Sequence, residues 1–84
     1  MQGPLTDEQV AHDILRVLKV LNTRANAPVQ YGVLLCNIEK YTSSTVSDIK
    51  RGALFLASKG FLILHPDSSF VLTIDGQKEM DRLM

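Results

Sequence analysis

Val10, Ile14, Val17, Leu18 and Leu21 recur at helical spacing, which predicts a first helix from residue 7 to about residue 24. Thr6-Asp7-Glu8-Gln9 has the make-up of a capping box: the Thr6 hydroxyl can accept from the Gln9 amide while the Gln9 side chain reaches back. Leu5 and Val10 flank it as a hydrophobic staple, and the acids at 7 and 8 suit the positive end of the helix. Leu15 lies beside the main stripe, near Ala11, and gives the helix a second apolar edge that points to a partner. "NAPV" at 26–29 interrupts the periodicity, with Pro28 placed to open a second helix over roughly 29–40 that buries Tyr31, Leu34, Leu35 and Ile38. After a turn at 41–44, Thr45 and Asp48 form the N-terminal pair of a third helix, which runs to about Lys59 and stops at Gly60. "FLILH" and "SFVLT" then read as two strands joined by "PDSS", a β-hairpin with a short loop. Thr73 or Asp75 can cap a last helix whose apolar members are Met80, Leu83 and Met84. The order is α-α-turn-α-β-β-α: mainly α with a small β-hairpin, an α+β chain expected to be one domain over 1–84. Residues 1–5 are expected to be a flexible N-terminus or a cloning remnant.

The third helix has two faces. At helical spacing Val46, Ile49, Ala53, Leu56 and Ala57 cluster inward, while Ser47, Asp48, Arg51, Phe55 and Ser58 point outward. Leu54 is assigned to the inner flank, which leaves Phe55 as the outward apolar residue.

Composition narrows the class. The chain of 84 residues is 45% hydrophobic and 21% charged, an ordinary globular balance with a thin core at this size. No apolar run approaches the ~20 residues of a membrane span, and "MQGPLTDEQ" lacks the regions of a signal peptide. Cys36 is the single cysteine, which fits a reducing, cytoplasmic compartment; it is expected to be packed or half-packed. Net charge is zero, but its distribution is uneven. Residues 16–59 carry seven basic groups against Glu39 and Asp48, or +5, while residues 1–15 total −3 and residues 60–84 total −2. A local basic patch, and not a basic total, is what an electrostatic footprint requires. The simpler account of the same charges is a solvated surface.

In "DIKRGALFLASKGFLIL…FVLTIDGQKEM" the residues Ile49, Ala53, Leu56, Lys59, Gly60, Phe61, Leu62, Leu72, Thr73 and Gly76 stand in a pattern that resembles the winged helix-turn-helix family of DNA-binding domains, in particular small regulators of the PadR-like and MarR-like kind. The resemblance implies a transcriptional regulator that binds double-stranded DNA with its third helix in the major groove. On that basis Ser43, Ser44, Thr45, Ser47 and Arg51 form the reading edge, with Arg51 able to bond guanine bidentately and the hydroxyls able to reach phosphates or bases. Lys40 and Lys50 would contact the backbone. Ser43 to Thr45 are equally well explained as a cap and a turn. Members of such families pair through their first and last helices, so Leu15, Met80, Leu83 and Met84 are the expected homodimer seam. The alternative is that Met80, Leu83 and Met84 close the monomer's own core.

Against DNA stand Asp67 and the absence of Lys and Arg from "LHPDSSF", and Asp48 on the outward face of the third helix. A protein-interaction module using Phe55 and the uncharged hairpin is therefore the second expectation. An enzyme is excluded on inventory: His12 and His65 are the only histidines, no metal set of usual spacing can be drawn, and no nucleophile motif or phosphate loop occurs. No cofactor is expected.

Overall fold

A computed structural model describes residues 6–42 and 45–83. Leu5, Ser43, Ser44 and Met84 lie outside the described residues, as does the side chain of Val46. In order, the elements are α1 (Asp7–Val20), β1 (Pro28–Gln30), α2 (Tyr31–Tyr41), α3 (Val46–Ser58), β2 (Leu62–Leu64), β3 (Ser69–Leu72) and α4 (Ile74–Leu83). Among the described residues the fold is thus α+β: four helices and a three-stranded antiparallel sheet of order β1-β3-β2.

Local chemistry sets most of the boundaries. The capping box at α1 forms as the sequence predicts, with the Gln9 amide donating to Thr6 Oγ1 at 3.1 Å and the Thr6 amide to Gln9 Oε1 at 2.9 Å. α1 ends four residues earlier than its apolar spacing suggests. Asn22 adopts φ 58°, its amide bonds the Lys19 carbonyl and the Thr23 amide bonds the Leu18 carbonyl. Those two bonds are a Schellman closure, which asparagine can enter because it tolerates the left-handed conformation. Gly60 closes α3 at φ 79° and turns the chain directly into β2.

The expected helix start at Pro28 is wrong. Pro28, Val29 and Gln30 pair with Val71, Phe70 and Ser69 as an edge strand, and α2 begins only at Tyr31. A proline at the first position of an edge strand forfeits no ladder bond the sheet needs. β2 pairs β3 through Leu62↔Leu72, Ile63↔Val71 and Leu64↔Phe70, which sends Leu62, Phe70 and Leu72 into the core. The Tyr31 ring stands edge-on to Phe70 at 6.3 Å.

α1 is the spine of the core, packed by α2, α3 and α4. Because three helices surround it, it buries Val10, Ala11, Ile14, Leu15, Val17 and Leu18 completely. Leu15 is therefore core and no exposed edge, and Met80 on α4 is buried with it. Two of the four residues expected in a dimer seam thus have their side chains inside the single chain; Leu83 is half-buried against the same core, and Met84 lies outside the described residues. The physical reason is that α1 is packed by three helices, so Leu15 and Met80 join the chain's own core cluster. Cys36 is exposed on α2, contrary to the packed position expected for it. Among the described residues no helix is long and apolar enough to cross a membrane.

Candidate nucleic-acid interface

α3 packs on α1 through Ile49, Gly52, Ala53 and Leu56. Gly52 decides how the helix is turned: a Cβ there would stand 2.5 Å from Cγ1 of Val10 and 2.8 Å from Cδ1 of Ile14. Counting Gly52 into the core in place of Ala57 rotates the inward face by roughly 40° at 3.6 residues per turn. That rotation exchanges two neighbours. Phe55 is half-buried against the core and Leu54 is the outward apolar residue, 53% exposed, the reverse of their expected places. The ammonium of Lys59 lies 5.5 Å from the centre of the Phe55 ring.

The outward ridge of α3 consists of Ser47, Lys50, Arg51, Leu54 and Ser58, all exposed. Its N-terminus is built by Thr45 and Asp48. The Thr45 amide and hydroxyl both donate to Asp48 Oδ2 at 3.1 Å, and the Thr45 and Ser47 hydroxyls lie 2.8 Å apart. Thr45 thus bonds within the cap, with the Ser47 hydroxyl beside it. Ser43 and Ser44 lie outside the described residues.

Arg51 is not held out as a reader of bases. Its Nη1 donates to Asp7 Oδ1 and its Nη2 to Asp48 Oδ1, each at 2.9 Å, so the guanidinium ties the start of α1 to the start of α3. The hydrogen bond from Arg51 is the main reason the Asp48 carboxyl sits below its usual range, with the Thr45 amide adding to it; the same bond raises Arg51. Asp48 accordingly neutralises Arg51 where the sequence left it as an isolated acid facing a duplex. Lys50, in contrast, makes no ion pair among the described residues. Lys40 is exposed at the end of α2, its ammonium 5.4 Å from the centre of the Tyr41 ring.

Beside the ridge runs an open groove of about 400 Å³, walled by Leu35, Lys50 and Leu54 on the helices and by Leu64, His65 and Pro66 on the hairpin. The hairpin turn does not stand free. The Tyr31 amide donates to the Ser68 carbonyl at 2.8 Å, and Asp67 Oδ1 accepts from the Ser69 hydroxyl at 2.6 Å and from the Ser69 amide at 3.2 Å. These bonds hold Asp67 in the turn and pull its carboxyl below the usual range, the Ser69 hydroxyl contributing most. Among the described residues no group of three or more His, Cys, Asp or Glu side chains could hold a metal ion.

The residue that the sequence reading missed is Leu54. Its signal was present, since Leu54 follows Lys50 by four positions and Ser47 by seven, the spacing of one helix ridge. It was hidden because the inward face was drawn through Ala57 and did not include Gly52, which is buried. No family model, no curated protein and no solved structure matches the chain.

Proposed function

We propose that the chain is a winged helix-turn-helix domain that binds double-stranded DNA, with the outward ridge of α3 in the major groove and the β2–β3 hairpin as its wing. The observation that carries the reading is the exposed ridge itself. Thirteen residues of helix pack by one narrow face and leave Ser47, Lys50 and Leu54 exposed, with the hairpin bounding one side of the groove beside them. A helix left projecting in this way has the width to enter a major groove. Lys50 and Lys40 supply the phosphate contacts, and Thr45 and Ser47 stand at the helix N-terminus, where the dipole favours phosphate. Arg51 acts as the strut that orients α3 on α1.

The apolar groove beside Leu54 favours a second reading, a protein-interaction module in which Leu54 and Leu64 replace the expected Phe55 as contact residues. One titration separates the two. Fluorescence anisotropy with mixed-sequence duplex at about 50 and 200 mM salt should show binding that weakens steeply with salt. Lys50→Ala should weaken it for all sequences alike and lower the salt slope by about one. Absence of binding at the lower salt would remove the DNA reading and leave the protein-interaction one.

A further inference from the structure

We infer that Leu54 makes this interface selective for thymine, its side chain meeting the C5 methyl group of a thymine in the major groove. The inference rests on the DNA-binding reading above. Arg51, the residue type best suited to hydrogen-bond guanine, is occupied by Asp7 and Asp48. The members of the ridge that remain are Ser47, Lys50, Leu54 and Ser58; Ser58 bonds the Phe55 carbonyl, and Leu54 is the one large apolar residue among them. Lys50 provides charge complementarity to the duplex and sets the register of the helix. Leu54, 53% exposed, is then carried toward the base edges with hydrocarbon as its only contact surface.

The four bases differ sharply toward such a group. Guanine, cytosine and adenine present hydrogen-bond donors and acceptors in the major groove, and covering these with a leucine strips their water without replacing it. Thymine alone presents a methyl group there, so burial of Leu54 is favourable over that base and costly over the others. Leu64 and Pro66 continue the apolar surface from the helix to the hairpin, so the methyl would sit against hydrocarbon on more than one side.

The test removes the methyl and nothing else. The full chain is used to select a preferred duplex from a random pool, and each thymine in that duplex is then replaced singly by deoxyuridine. Binding should weaken about fourfold at the contacted thymine, the effect of losing one buried methyl group. Leu54→Ala, a change at an exposed position that leaves the core intact, should bind the thymine and uracil duplexes alike. Lys50→Ala should weaken both and preserve their ratio. A wild-type chain indifferent to every replacement, or a Leu54→Ala chain that keeps the full ratio, overturns the inference and leaves DNA binding standing. No binding to any duplex overturns the DNA reading and the inference together.

Discussion

Leu15 and Arg51 show how one side chain's role depends on what surrounds it. Leu15 is completely buried, so Leu15→Ala should cost about 2–5 kcal/mol in urea denaturation, the range for emptying a leucine site in a packed core. A dimer-seam residue would show far less in a dilute monomer. Arg51 belongs to a set of exposed ion pairs whose acids respond to pH. Asp48, Asp67 and Glu79 all lie below their ordinary values, chiefly through hydrogen bonds from Arg51, from the Ser69 hydroxyl and from Arg82. A carboxyl that is more acidic folded than unfolded stabilises the fold above its unfolded pKa, near 4, and that contribution vanishes as pH falls through the lower folded value. The urea midpoint should therefore be flat from about pH 7 to 5 and decline below about pH 4, less so for Asp48→Asn. Because all three acids are solvent-accessible, each step is small. An unchanged midpoint down to about pH 2 would mean that these pairs do not persist in solution.

At the scale of elements, close approach governs. The capping box, the Asn22 closure and Gly60 define where helices begin and end, and each is settled within a few residues along the chain. Gly52 and Gly76 act differently, by admitting a neighbour. A Cβ on Gly76 would collide with the Phe61 carbonyl and lie 2.8 Å from Cδ1 of Leu72, where α4 crosses the start of the hairpin. The Thr73 hydroxyl locks the same corner, accepting from the Gly76 amide at 2.9 Å and donating to the Gly60 carbonyl at 2.7 Å. Gly76→Ala should thus lower stability by about 1–3 kcal/mol despite alanine's better helix propensity. Thermal denaturation followed by circular dichroism would measure it, and a stabilised variant would show that the corner yields.

For the whole molecule, the burial of Leu15 and Met80 bears on how copies of the chain could pair. With their side chains inside, Leu15 and Met80 are not available to a second copy as seam residues. The chain should therefore sediment at its own mass of 9.3 kDa at micromolar concentration. A concentration-dependent shift toward twice that mass would locate a dimer surface elsewhere, with exposed Ile63 and Leu64 the first residues to mutate. In the reading proposed above, a monomer presents a single α3 to DNA, so its affinity would rest on few phosphate contacts and be weak, with a salt slope set by their number.

Four helices, a hairpin and the caps at Thr6, Thr45, Gly60 and Thr73 were legible in the sequence, because periodicity and capping act over a few positions; the Asn22 closure and the start of α2 were not. The same holds for most of the core, from Val10 and Ile14 to Leu34, Ile38, Ile49 and Leu56. β1 was not legible, since three residues are too short to carry a period and become a strand only by pairing with β3, forty residues away in sequence. The rotation of α3 was not legible either: it follows from the approach of α1 to Gly52, which turned Leu54 outward and Phe55 inward. Arg51 looked available until the fold brought Asp7 to it across 44 positions. What the sequence alone determined is the set of local elements, whose free energy comes from neighbours in the chain. Only the tertiary structure decided which side chains remain to meet a ligand, because that depends on surfaces that other segments leave uncovered.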